Sequence, residues 1–245
     1  MSALDEHLIR SNLPENLRDM RIIILDATES TNTYAKALDT KKPVLVTANS
    51  QTGGRGRLGK SFYSPKDSGI YMTIAFDADS STDYVTVATA VAVAKVFDRL
   101  GSKGIGIKWV NDIFFNKRKV CGILCERAGN KIIIGIGANL TTALFPEDIA
   151  QIAGALNLET DRNTVIAHIT AEVFNTLSMC DEVIISEYKK YLFILGQKIN
   201  YTKDGIAKEG IATDINEKGN LIVKTESGID ILISGEISLD SRNFI

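Results

Sequence analysis

Between Ile105 and Leu140 the chain alternates β-rich runs with turn residues: IKWVNDIFF, then NKRK, VCGILCE, RAGN and KIIIGIGANL. Asn116, Gly129 and Asn130 suit the tight turns of antiparallel hairpins. The segment therefore reads as three successive strands in the middle of a mixed or antiparallel sheet, and the rest of the chain has to cover it.

The flanking segments supply that cover. RIIIL at 21 to 25, PVLVTA at 43 to 48 and GIYMTIAF at 69 to 76 are further short β-rich runs. ESTNTYAKAL at 29 to 38 opens with capping residues, so a strand-to-helix turn falls near Thr28 to Asn32, with Ser30, Thr31 and Asn32 at the helix start. Asp83 to Leu100, rich in alanine and valine and followed by Gly101, reads as a buried helix packed closely on the sheet. Ile166, Ile169, Val173 and Leu177 mark one helical stripe within Asn163 to Met179, and Glu182 to Leu195 predicts another helix ended by Gly196.

After Gly196 the pattern changes to short alternating runs, KINY, GIAKEGIATDI, LIVKT and IDILIS, separated by turn signals at Lys218-Gly219-Asn220 and Ser227-Gly228. That spacing predicts a small β-barrel or sandwich. Three parts follow: a short extension at 1–20, an α+β domain at 21–195 with a mixed or antiparallel sheet flanked by helices, and a small barrel at 196–245.

Composition narrows the function. A net charge of −2 offers no general basic field for nucleic acid. The roughly twenty residues before Arg21, interrupted by Pro14, are too few for a three-helix DNA-reading module, so DNA is not an expected partner. MSALDEHLIR does not read as a secretion signal and no run approaches the roughly 18 apolar residues of a membrane span, so neither a membrane nor export is expected and the chain reads as cytoplasmic. Cys121, Cys125 and Cys180 are too few and, for the first two, about 13 Å apart along a strand, so all three are read as small core thiols rather than a disulfide or zinc site.

QTGGRGRLGKSFYSP at 51 to 65 carries the most chemistry. Gly54 to Ser61 matches the phosphate-loop pattern letter for letter, and Gly54, Gly56 and Gly59 match G-x-G-x-x-G. Both mechanisms require a helix to begin at the loop, whereas Pro65, Gly69 and the strand pattern of GIYMTIAF follow it. What remains is a backbone open to close approach and three cations, Arg55, Arg57 and Lys60, suited to a polyphosphate or an acyl phosphate.

Taken together, EST-N at 29 to 32, Q-x-x-GRGR-x-G at 51 to 59, KW-x-ND at 108 to 112, RK-x-x-GIL-x-E at 118 to 126 and G-x-G-x-N at 135 to 139 resemble the biotin–protein ligases in order and spacing. The resemblance implies a catalytic domain like that of class II aminoacyl-tRNA synthetases with a small C-terminal barrel, in the monofunctional form. It implies a reaction in which biotin and ATP give biotinoyl-AMP, and the biotinoyl group then passes to a lysine of a biotin-carrier protein. Ser30, Thr31, Asn32, Gln51, Arg55, Gly56, Arg57, Lys119 and Gly122 are implied at biotin, and Phe62, Lys108, Asn111 and Asn139 at ATP. Arg55, Arg57, Lys119 and Asp112 are implied in catalysis, Asp112 also toward Mg²⁺. Val110 stands where the family usually has proline, and Phe62 where tryptophan is common. A homodimer through a sheet edge is compatible with the family. The rival readings are a lipoate–protein ligase and a non-catalytic biotin sensor.

Overall fold

In the computed structural model, which describes residues 2–39, 42–78, 81–233, 235 and 237–239, the predicted strands join into one mixed sheet. Its members are β1 (Arg21–Thr28), β2 (Val44–Gln51), β3 (Gly69–Asp77), β4 (Gly106–Lys108), β5 (Asp112–Phe115), β6 (Arg118–Ala128) and β7 (Lys131–Asn139), in the order β1-β2-β3-β7-β6-β5-β4. β1 and β2 run parallel, connected through α2 (Thr31–Lys36), and the other neighbours run antiparallel.

Strand alternation gives the sheet two chemically different faces. Ile70, Met72 and Ile74 of β3, Ile132, Ile134 and Ile136 of β7, and Cys121 and Ile123 of β6 belong to the main core. Over it lie α3 (Thr82–Arg99), α4 (Arg162–Leu177) and α5 (Asp181–Tyr191). In α3 every residue from Val85 to Ala94 is buried, and its alanines and valines let the helix lie close to the sheet. Each fully buried valine or isoleucine contributes about 1.5–3 kcal/mol, so this face carries much of the stability. The intervening residues of the same strands, among them Thr73, Gly135, Gly137, Gly122 and Leu124, look the other way, toward α2 and a cavity.

Three expectations change. IKWVNDIFF is a hairpin rather than one strand: β4 pairs with β5 so that Lys108 faces Asp112 across the turn Trp109-Val110-Asn111, whose Trp109–Val110 peptide bond is cis. The turn is held from outside by Tyr188 Oη, which donates to the Val110 carbonyl at 2.8 Å, and by the Trp109 indole, which donates to the Gly219 carbonyl at 3.0 Å. The helix expected to run to Leu195 stops at Tyr191, and the chain turns through Gly196 at φ +82°, a conformation that favours glycine. Finally, Cys121 and Cys125 are core thiols in which burial pushes the pKa up, to about 12 for Cys125, but Cys180 is exposed at the start of α5.

The remaining strands, β8 (Lys198–Lys203), β9 (Ile206–Ile215), β10 (Leu221–Thr225), β11 (Gly228–Leu232) and β12 (Ile237–Leu239), form an antiparallel sheet in the order β11-β10-β9-β8-β12. Asp230 on β11 accepts hydrogen bonds from Tyr201 and Lys203 on β8 at 2.7 and 2.6 Å, so the sheet curls across itself. Its edge strands β11 and β12 share no ladder among the described residues, so the barrel expected here is seen as a curled five-stranded sheet, with 240–245 outside the described residues. Besides Trp109 and Gly219, a 2.6 Å ion pair between Lys189 and Asp214 fastens it to the larger sheet's helices.

At the other end, α1 (Glu6–Ser11) packs against α4, burying Ile9, while the Asp5 N–H donates to Asn163 Oδ1 at 2.9 Å. Ile9, Leu13 and Met20 of the 1–20 segment thus join the main core. No described helix is long and apolar enough to cross a membrane.

Candidate active site

A cavity of about 640 Å³ opens over the pocket side of β3, β7 and β6, and all the residues singled out from the sequence line it. At its inner end Ser30 caps α2, its Oγ accepting from the Thr33 N–H at 3.5 Å, which places Thr31 and Asn32 on the first turn. These three side chains are almost fully buried. Buried polar groups are tolerable only when bonded, and a connected set of partners is present. The Thr31 N–H donates to Gln51 Oε1 at 2.9 Å, and Gln51 Nε2 donates to Ser64 Oγ at 3.0 Å. Asn32 Nδ2 donates to Glu126 Oε2 at 2.8 Å, and Asn32 Oδ1 accepts from Thr73 Oγ1 at 2.7 Å. Thr73 and Glu126 were not singled out from the sequence. Strand parity was the available signal for Thr73, which shares the pocket face of β3.

The floor is made of glycines because side chains from elsewhere occupy the space. A Cβ on Gly135 would lie 2.3 Å from Asn32 Oδ1, and one on Gly137 would lie 2.6 Å from the Phe62 ring. Phe62 thus lies on the Gly122–Gly137 cross-strand pair. Its loop folds back on itself: the Phe62 N–H donates to the Gly54 carbonyl at 2.8 Å, the Gly56 N–H to the Lys60 carbonyl at 2.7 Å, and Leu58 and Gly59 turn the tip at positive φ. A strand, not a helix, follows, in keeping with the rejection of both phosphate-loop patterns.

The outer part of the cavity is electropositive. Arg55, Arg57, Lys60, Lys108, Lys117 and Lys119 line it, against Asp112 as the one lining carboxylate among the described residues. Lys119 was expected in a hairpin turn; it lies in β6, and a bulge aims it. β6 pairs Lys119 with Phe114 and Cys121 with Ile113, leaving Val120 as an extra residue. In a regular strand Lys119, two residues from Cys121, would share its core face, so the bulge re-aims the side chain into the cavity. Its Nζ lies 2.7 Å from Asp112 Oδ1. The Lys119 backbone is held on its outer side by 149–154, the N–H donating to the Ile152 carbonyl at 2.8 Å and the carbonyl accepting from the Gly154 N–H at 2.9 Å.

Asn111 sits between the two ends: its Nδ2 donates to the Ile123 carbonyl at 2.8 Å and its Oδ1 accepts from Arg57 Nη1 at 3.2 Å. Asn139 donates through Nδ2 to the Gly154 carbonyl at 3.1 Å, while its buried Oδ1 has no hydrogen-bond partner among the described residues. An orphaned buried acceptor costs about 1–3 kcal/mol unless a ligand or water meets it. The arrangement, a glycine-floored slot with bonded amides leading to a set of cations, can position a small acid with its carboxylate toward a polyphosphate.

Comparison with known proteins agrees with the geometry. Residues 24–139 match the Biotin/lipoate A/B protein ligase family, and residues 194–240 match the Biotin protein ligase C terminal domain. The second match separates the two chemistries that the first joins. The chain belongs to the biotin protein ligases. Among these ligases, the bifunctional ligase/repressor BirA of Bacillus spizizenii is 29% identical over 96% of this chain and 79% of its own length. The biotin–[acetyl-CoA-carboxylase] ligase of Mycobacterium tuberculosis is 23% identical over 96% of this chain and 95% of its own. The Aquifex aeolicus biotin protein ligase, solved in complex with biotin and ATP, superposes with a TM-score of 0.79 at 26% identity, covering 90% of this chain and 98% of that one.

Proposed function

We propose that this ligase activates biotin with ATP to biotinoyl-5′-AMP, releasing pyrophosphate, and then transfers the biotinoyl group to a lysine of a biotin-carrier protein, releasing AMP. The observation that carries this is one cavity in which buried amides and hydroxyls at one end meet, among the described residues, six cations and the Asp112 carboxylate at the other. The catalytic work belongs to 21–195, with the 196–245 segment contributing Gly235 and Ile237 to the cavity wall.

Ser30, Thr31, Asn32 and Gln51 serve to satisfy the ureido ring, Gly122 and Gly137 leave room on the strands for the Phe62 ring and the ligand beside it, and Gly56 admits the ligand past the loop. A ligand lacking the ureido groups leaves these partners unmet, which is the basis of specificity. In the first step two anions are brought together, so cations and alignment do most of the catalysis. Arg55, Arg57 and Lys119 serve there, with Lys108 at the triphosphate and Asn111, Asn139 and Phe62 at the nucleotide. Asp112, one carboxylate beside the phosphate end, suits Mg²⁺, which takes one or two carboxylates plus substrate phosphates; when bound the ion would neutralise phosphate charge. In the transfer step the neutral lysine amine attacks the mixed anhydride and AMP departs. Asp112, paired with Lys119, is also positioned to receive the amine's proton.

Biotin-dependent exchange of labelled pyrophosphate into ATP tests the first step. The wild type is expected to exchange with biotin and not with lipoate. Exchange with lipoate alone would assign the chain to the other acid, and silence with both would leave a binding protein.

A further inference from the structure

Glu126 lies behind the cavity wall rather than in it, on the pocket side of β6 in line with Gly122 and Leu124. One carboxylate oxygen accepts from Asn32 Nδ2 at 2.8 Å; the other lies 2.6 Å from Lys36 Nζ and 3.7 Å from Arg55 Nη2. Asn32 is buried at the inner end of the cavity, whereas Arg55 belongs to the loop that covers it and is half exposed. Burial alone would push the Glu126 carboxyl up, but the hydrogen bonds from Lys36 and Asn32 and the charges of Lys36 and Arg55 outweigh it, holding the pKa below its ordinary value.

We infer that Glu126 is a positioning residue that sets the amide of Asn32 and the guanidinium of Arg55 together, so that pocket and loop are aligned by one carboxylate. The inference deepens the proposed adenylation and rests on it. The chemistry explains why a carboxylate stands here. A neutral amide at this position still accepts from Asn32 but has no charge to hold Arg55, whereas an apolar side chain releases both.

The two functions are therefore separable by substitution. In biotin-dependent pyrophosphate exchange, Glu126→Gln is expected to lower kcat about tenfold while changing the biotin KM less than about twofold, and Glu126→Ala to raise that KM about tenfold as well. Trypsin should cut the ligand-free Glu126→Gln protein faster within 53–62. A double-mutant cycle with Arg55→Gln supplies a readout that general destabilisation does not imitate. If Glu126 acts through Arg55, the double variant is slower by little more than the worse single variant; if the two losses multiply, the inference is overturned. It is also overturned if Glu126→Gln matches wild type in kcat and loop cleavage. Glu126→Asp, which keeps the charge and shortens its reach, takes the place of Glu126→Gln if that variant does not fold, with the same cycle deciding. Wild type run alongside separates the two levels: no biotin-dependent exchange by wild type defeats the adenylation reading itself, whereas normal wild-type exchange with unaltered variants defeats the role of Glu126 alone.

Discussion

Ile134 and Gly135 are neighbours on β7 and share its hydrogen-bonding ladder, yet they lie on opposite faces with opposite tasks. Ile134 is completely buried among side chains of the main core, whereas Gly135 is bare so that Asn32 can occupy the space above it. The same division holds on β6, where Ile123 packs inward and Gly122 lies beneath the cavity. One face of the sheet is built for stability. The other keeps a smaller apolar cluster of Ala35, Val44, Val46, Ala75 and Ile133 under α2 but sacrifices side-chain burial at Gly122, Gly135 and Gly137 to make a slot.

This contrast predicts which substitutions damage which property. Among substitutions along the two faces, the largest effect on biotin binding is expected from Gly135→Ala. The added methyl would meet the bonded Asn32 amide at 2.3 Å and push it off Glu126 and Thr73; the biotin KM in pyrophosphate exchange should rise on the order of a hundredfold, from two or more lost hydrogen bonds. Next comes Ile134→Ala, which should lower unfolding free energy in a urea titration by about 2–5 kcal/mol while leaving kcat per folded molecule within about twofold. Equal damage to binding and stability from both variants would erase the division between the faces. The smallest effect belongs to Gly122→Ala, because its methyl would meet only the flexible end of Lys119 and the edge of Phe62, at 3.4 and 3.5 Å. A KM change of about twofold to fivefold is expected, since those atoms can yield. A larger change than that of Gly135→Ala would mean that the ligand itself lies closer to β6.

The alternating runs and turn residues made most strands legible, and the order of the motifs foretold that residues as distant as Ser30 and Asn139 would share one cavity. What could not be read locally depended on register or on remote partners. Lys119 reaches the cavity because β6 carries one extra residue, a property of its pairing with β5 rather than of its own sequence. The turn at Trp109-Val110-Asn111 splits a segment whose apolar content reads as one strand, and the contacts that hold it come from Tyr188 and Gly219. Glu126 stood in a recognised motif without a role, since Asn32 lies 94 positions away in sequence. The wall formed by 149–154 has no periodic pattern to announce it and is fixed by backbone hydrogen bonds to Lys119.

The central claim is that the cations of the pocket face join biotin to a lysine at no cost to the fold. Mass spectrometry of a biotin-carrier domain incubated with ATP, Mg²⁺, biotin and either wild type or Lys119→Ala tests it directly. Wild type should add one biotinoyl group at a single lysine, while Lys119→Ala, with its melting temperature within a few degrees of wild type, should be slower by about two orders of magnitude or more, as expected for removal of a charge acting at the reacting phosphate. A wild type that leaves the carrier unmodified, or a Lys119→Ala variant that labels it at the wild-type rate, would contradict the account.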